Sequence, residues 1–174
     1  MWNDETGFSL IELIITIIVI SLGAGVIYSF LEAVVSSPEP SLRARALALG
    51  KGLMDEIVAK RWDENSPLGG GNTTSPSTTL GPDGGETDRT LYDDVDDYNG
   101  FSEQDTFSDQ EGNTIQVQGV RRWVRVDYIQ DSANTIDKDT PSPSTSPTNT
   151  KRIVVSVSTP SGEEFKLVAT RCNY

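Results

Sequence analysis

A single carboxylate, Glu12, stands near the start of a run of Leu, Ile and Val that continues to about Val35. Its chemistry is electrostatic. About 20 mainly apolar residues suffice to cross a bilayer, and an ionised group placed among them needs a countercharge or a route to water. Because it lies near one end, Glu12 reads either as a residue snorkelling to the headgroups of a plain anchor or as half of an ion pair. A second concentration of charge is Asp93, Asp94, Asp96 and Asp97, inside LYDDVDDYNGF (Leu91–Phe101). Carboxylate oxygens are the hard ligands calcium takes, and Asn99-Gly100 supplies a turn that helps wrap an ion. The spacing departs from the EF-hand pattern, since Tyr98 and Asn99 stand where a ligand and a glycine belong. A solvated acidic loop, or helix caps with DxxD spacing, is the alternative reading of the same four residues.

Other chemistries are excluded or disfavoured. The chain has no histidine, which removes the commonest general base and metal ligand and any Ser-His or Cys-His nucleophile pair. Its one cysteine, Cys172, cannot form an internal disulfide and reads as an inert, half-buried thiol. A formal net charge of -12 repels nucleic acid phosphates and anionic headgroups. No nucleic acid partner is expected unless Arg121, Arg122 and Arg125 gather on one surface. The chain does not read as an enzyme.

These groups have to be positioned by a membrane-length helix, a second helix and a sheet. Residues 8–35 read as the transmembrane segment, with Gly23 and Gly25 as places for close helix packing. Ser36-Ser37-Pro38-Glu39-Pro40 interrupts it, which predicts a kink or a fresh helix start. Over residues 36–62, Leu42, Ala46, Leu49, Leu53 and Ile57 recur at spacings of one helical face, widened by Met54 and Val58. Arg43, Lys51, Asp55 and Lys60 occupy the opposite side. Residues 65–90 and 139–150 are rich in Gly, Ser, Thr and Pro and read as surface loops. Strand alternation follows: Val124, Val126 and Tyr128, then Ile153, Val155 and Val157, then Phe165, Leu167 and Ala169 share one face. Thr159-Pro160-Ser161-Gly162 marks a turn. The predicted class is α+β: a long N-terminal helix, half transmembrane and half amphipathic, packed on an antiparallel sheet of three or more strands. The head would span residues 63–174.

The segment GFSLIE (Gly7–Glu12), followed by LIITIIVISLGAGVIYSFL (Leu13–Leu31), resembles the processing and assembly signal of type IV prepilins and pseudopilins. The resemblance implies that residues 1–7 are a leader, that a prepilin peptidase cuts between Gly7 and Phe8, and that Phe8 is then N-methylated. It also implies that Glu12 is needed for assembly. Electrostatics supply a reason: cleavage leaves a cationic amine on Phe8, and in a helical polymer a neighbouring subunit's amine is a partner for Glu12 in low dielectric. Implied partners are the peptidase, major and minor pilins and an inner-membrane platform. The subunit would be single-pass and N-in in the inner membrane before assembly, and in a pilus or the periplasm afterwards. One feature departs from the pattern: Met1–Gly7 carries Asp4 and Glu5 and no basic residue, against the positive-inside rule. That favours a start upstream of Met1, with a translocation machinery tolerant of an acidic leader as the alternative.

Four further pieces, GLMDEIVAKRWDEN (Gly52–Asn65), DDVDDYNGF (Asp93–Phe101), KRIVVSVSTPSGEEFKL (Lys151–Leu167) and ATRCNY (Ala169–Tyr174), resemble the minor pilin-like D proteins of mannose-sensitive haemagglutinin (MSHA) pilus systems. This implies a structural role as a minor pilus component. A minor pseudopilin of a type II secretion system, or an anchored calcium- or glycan-binding adhesin head, is the alternative.

Overall fold

In the computed structural model, residues 9–35, 39–130 and 143–174 are described. The chain divides into two units, Met1–Pro40 and Ser41–Tyr174. The first is built on α1, Leu10–Val35. The α-helix runs through Gly23 and Gly25 without interruption, with open space beside both. Residues 36–38, part of the expected kink, lie outside the described residues, and α2 spans Glu39–Ala59. Pro40 falls in its first turn, where a missing N–H costs nothing.

The second unit is a sheet with α2 against one face. Four strands, β1 (Ser102–Ser108), β2 (Thr114–Ile129), β3 (Thr150–Ser158) and β4 (Glu164–Cys172), lie side by side in sequence order, every pair antiparallel. The expected meander is therefore present. The stripe of α2 is the expected one: Ala46, Leu53 and Ile57 are fully buried. They meet Val124, Val126, Ile153, Val155 and Val157 from the sheet, together with Val95 and Tyr98 from the acidic loop. Gly50 sets the approach. A Cβ there would lie 2.7 Å from Val157 Cγ2 and 3.0 Å from Leu167 Cδ1. Glycine inside a helix costs about 1 kcal/mol relative to alanine; here it lets backbone and sheet close together.

The strand missing from the sequence reading is β1, SEQDTFS. Its inward positions are Glu103, Asp105 and Phe107, so only one apolar residue marks the face. Glu103 is held instead by Arg122, whose Nε donates to Glu103 Oε2 at 2.7 Å. The pairing of β1 with β2 breaks at Asp105, where register jumps from Gln104↔Arg121 to Thr106↔Gln116. Asp105 sits at φ 61 and its carboxylate accepts the Gly119 N–H at 2.5 Å. Such a bulge bends the strand that carries the extra residues. At its apex Gly119 has φ +74, and a Cβ would meet Pro160 Cγ at 2.6 Å.

Two local expectations are corrected. The helix α2 stops at Ala59, short of Trp62, because the Arg61 N–H pairs with Asp93 O at 3.3 Å instead of continuing the helical ladder; Arg171 takes carbonyls left at that end, Nη1 donating to Val58 O at 2.8 Å and Nη2 to Lys60 O at 3.2 Å. Cys172 is exposed rather than half-buried, since it falls at an outward position of β4, where burial alternates along the strand. Residues 131–142, which include the start of the second polar stretch, lie outside the described residues.

Candidate functional site

The first candidate is the head of α1. Leu10–Glu32 has a mean hydropathy of 2.6 over a helix long and apolar enough to span a membrane. At 1.5 Å per residue its 23 residues reach about 34 Å, against a hydrocarbon core of about 30 Å. Every side chain from Ser9 to Glu32 is exposed, the opposite of a core helix. Hydroxyls in this segment are satisfied within the helix: Thr16 Oγ1 donates to Glu12 O at 2.7 Å, Ser21 Oγ to Ile17 O at 2.7 Å and Ser29 Oγ to Gly25 O at 3.0 Å. This is the arrangement a helix in lipid requires. Glu12 lies in the first turn, where the free N–H groups favour an anion. Among the described residues no side chain pairs with its carboxylate. Gly7 and Phe8, the expected cleavage and methylation positions, lie outside the described residues.

The second candidate is the acidic loop. Asp93, Asp94, Asp96 and Asp97 are close in space but are not equivalent. Asp97 Oδ2 accepts the Asp93 and Asp94 N–H groups, both at 2.9 Å. Asp94 Oδ1 accepts the Asp96 N–H at 2.8 Å. These are bonds within the loop; the short 3-10 helix Asp96–Tyr98 has Val95 at its N-cap and no side-chain cap bond. Asp93 Oδ1 receives Arg61 Nη2 at 2.5 Å. Asp96 is turned away to Lys151, whose Nζ lies 2.5 Å from Asp96 Oδ1. The carboxylates that gather closely enough to share an ion are Glu86, Asp93 and Asp97, and separately Glu64, Asp93 and Asp94, each set with oxygens within 4.8 Å of one another. Glu64 and Glu86 were not in the sequence-derived set. Crowding shows in the titration: burial first, then Asp97 and Asp93, push Glu86 up to about 7. Burial, with Asp96 and Asp97 beside it, likewise holds Asp94 well above the ordinary carboxylate range.

Beneath the loop sits a fully buried ammonium. Lys151 Nζ donates to Trp62 O at 2.8 Å, Asp63 Oδ2 at 3.0 Å and Asp96 Oδ1, using all three protons, and lies 4.3 Å from the centre of the Trp62 ring. Burial raises Asp63, but N–H groups of Ser77 and Asn65 together with Lys151 outweigh it and hold the carboxyl below its usual range. The hub joins the residues after α2, the acidic loop and β3. A buried charge of this kind is tolerated only when paired and fully hydrogen-bonded.

Residues 2–28 match the family model for the prokaryotic N-terminal methylation motif. The match supports a type IV pilin-like or pseudopilin subunit. It covers the positions that carried the resemblance, Gly7, Phe8 and Glu12, and the helix that follows. No curated protein and no solved structure matches the chain. The motif implies processing by a prepilin peptidase and assembly with other pilins, and with α1 it is consistent with membrane anchoring before assembly. The family is structural rather than catalytic. The α+β arrangement of a long helical N-terminus and a four-stranded antiparallel sheet is pilin-like as well.

Sequence reasoning missed Lys151 and Asp63. A signal was present: Lys151 is in phase with Ile153, Val155 and Val157, the inward positions of β3, and a lysine there calls for buried acids. The three arginines weighed as a cluster are split. Arg122 faces α2, donating to Leu49 O at 3.1 Å, while Arg121 and Arg125 are exposed on the other face of β2.

Proposed function

We propose that the chain is a minor, pilin-like structural subunit of an MSHA-type type IV pilus, cut between Gly7 and Phe8, methylated on Phe8 and inserted into the filament through Glu12. The observation that carries this reading is α1 itself: a spanning helix, every described side chain exposed to Glu32, with one carboxylate in its first turn behind a methylation motif. Such a helix requires surroundings the described residues do not supply, and lipid before assembly and neighbouring helices after it fit that need. The four sequence pieces that resemble MSHA D proteins support the finer assignment; a minor pseudopilin of a type II secretion system shares the motif and the helix. The deciding experiment is intact-mass measurement of the protein from native membranes and from sheared filaments. Loss of Met1–Gly7 with one added methyl, in pilus rather than secretion-dependent fractions, is expected. A native protein that retains Met1–Gly7 overturns the reading.

A second role for the head, as a calcium site, has one observation in its favour: Glu86, Asp93 and Asp97 converge with like charge, and a divalent cation relieves their repulsion. The residues proposed to hold it are Asp93, Asp97 and Glu86, with Asp94 and Glu64 on the other flank. Asp96 is committed to Lys151.

A further inference from the structure

Lys151 sits on the inward row of β3 with its side chain fully enclosed, and its two carboxylate partners, Asp63 and Asp96, are 0% and 3% exposed. Nζ lies 2.5 Å from Asp96 Oδ1 and 3.0 Å from Asp63 Oδ2. Two aromatic rings wall the nitrogen, with centres at 4.3 Å for Trp62 and 5.4 Å for Tyr128. An amine, a carboxyl carbon and a second carboxylate are therefore held together away from water. Those are the parts that amide formation needs.

The two acids are held differently. Asp63 keeps its place without the lysine: Oδ1 accepts the Asn65 N–H at 3.0 Å and the Ser77 hydroxyl at 3.1 Å, and Oδ2 accepts the Ser77 N–H at 2.9 Å. It can take a proton from Nζ and return it without losing its orientation. Asp96 comes to Nζ from 55 residues away in the chain. In water a lysine and an aspartate do not condense, because both are charged, solvated and seldom in contact. Here burial penalises the ion pair, which brings the neutral amine and acid closer to it in free energy. Fixed contact supplies an effective concentration of about 10⁵ M or more.

We propose that Lys151 and Asp96 join in an isopeptide bond, formed by the folded chain itself with Asp63 as the base. Nζ passes one proton to Asp63 Oδ2 and attacks Asp96 Cγ, so that a C–N bond forms. The nitrogen then gives up a second proton, a C–O bond of the Asp96 carboxyl breaks, and the two protons leave with that oxygen as water. The third proton stays on the amide nitrogen, within reach of the Trp62 carbonyl, 2.8 Å from Nζ. No oxidant, cofactor or outside group is consumed. The product replaces a buried ion pair with a neutral amide and closes a loop of chain that contains β1 and β2 whole. A disulfide would constrain the unfolded chain in the same way, but this protein has one cysteine and cannot form one internally. The bond lies within Ser41–Tyr174 and does not depend on whether the subunit enters a pilus, a pseudopilus or neither.

The test is mass spectrometry of the full chain, purified in neutral detergent and then denatured. The parent is expected to be one water lighter than its processed sequence. In a tryptic digest the chain should resist cutting after Lys151, and the peptides carrying Asp96 and Lys151 should travel as one branched species. Lys151→Arg keeps a cation for both acids but has no amine nucleophile, so the full mass should return. Asp63→Asn keeps the shape and removes the base, and the rate of cross-linking after synthesis should fall about a hundredfold, the lower end of what a positioned base supplies. A parent at full mass, with separate Asp96 and Lys151 peptides, overturns the proposal whatever the variants do. A water loss that survives Lys151→Arg lies elsewhere in the chain and overturns it equally. A branch that maps to Asp63 overturns the choice of Asp96 as the carboxyl attacked, and a parental rate in Asp63→Asn overturns the choice of base.

Discussion

Glu12 and Glu56 are both glutamates on helices, and the molecule treats them in opposite ways. Glu56, on α2, is completed by its own chain: Oε1 accepts Arg89 Nε at 3.1 Å and the Tyr98 hydroxyl at 2.5 Å, while Arg89 Nη2 closes on Oε2. Arg122 and Glu103 extend the same network to β1, and Arg89 Nη1 and Arg122 Nη2 both reach the Ser108 carbonyl. Glu12, on α1, has no such set among the described residues. The two helices differ in the same sense. One buries its stripe against its own sheet; the other leaves every described side chain exposed to Glu32. A helix that satisfies itself belongs to the fold, and one that does not belongs to an environment. That difference assigns Glu56 to stability and supports the assembly role proposed for Glu12.

The largest effect is therefore expected at Glu12 and should leave stability alone. Glu12→Val removes a carboxylate from the apolar segment, so membrane insertion should hold or improve. Glu12 lies outside the unit Ser41–Tyr174, so the melting temperature of that unit should not move. Entry into filaments should drop at least about tenfold, since losing an ion pair in low dielectric is worth more than the 1.4 kcal/mol that a decade requires. The measurement is the fraction of subunit in sheared pili against membranes. Parental incorporation would remove the contrast between the two glutamates.

Next come changes in the head, where stability should move. Leu53 is fully buried, so Leu53→Asp buries an unpaired charge at a cost of several kcal/mol. Glu56→Ala leaves the largely buried Arg89 and the Tyr98 hydroxyl without their acceptor and should cost about 3 kcal/mol. Any loss of assembly in it should track the unfolded fraction. Lys51→Asp sets a scale at the low end. Lys51 is exposed and, among the described residues, pairs with Asp55, one helical turn away, at 2.5 Å, and a surface change of this kind stays within about half a kcal/mol. Denaturant midpoints that fail to rank Leu53→Asp and Glu56→Ala well below Lys51→Asp would mean that the buried face of α2 is misassigned.

What could be read from the sequence follows the same division. A continuous apolar run marks α1, while apolar periodicity marks the stripe of α2 and the inward rows of β2 to β4, because those inward faces are largely Leu, Ile and Val and hydrophobic burial is what holds them. β1 escaped, since its inward Glu103 is stabilised by Arg122 rather than by burial of apolar surface, and a pattern search sees only a polar strand. The Lys151 hub escaped for a related reason: the phase of Lys151 with the inward row of β3 marks it as buried, but its partners Asp63 and Asp96 are far off in the chain, and periodicity does not name them. The carboxylates that converge on the loop, Glu64 and Glu86, come from outside the Asp-rich stretch. Local concentration of charge was legible there, but not the chain path that adds to it.

The smallest effect tests that convergence and depends on pH. Glu86 is raised from an ordinary 4.5 to about 7, by burial and by Asp97 and Asp93. A carboxyl whose folded value is raised binds more protons folded than unfolded. Stability should therefore fall as pH rises from about 4.5 to about 7. Asp94 is raised too and extends the fall to higher pH. Asp63 has the opposite sign: held below its usual range, it supplies stability that is lost only in strong acid, below the window of Glu86. Calcium would compete with protons for the same oxygens, so it should raise the melting temperature more at pH 8 than at pH 5. At about five times its dissociation constant it contributes about 1 kcal/mol, and magnesium, which gives up water reluctantly, contributes less. Glu86→Gln should flatten the fall between pH 4.5 and 7 and shrink the calcium shift, because it removes one member of the convergent set. A calcium shift that is equal at the two pH values, or that survives Glu86→Gln unchanged, would place the ion elsewhere and leave Asp93 and Asp97 with the bonds they already make, to the Arg61 guanidinium and to the Asp93 and Asp94 N–H groups.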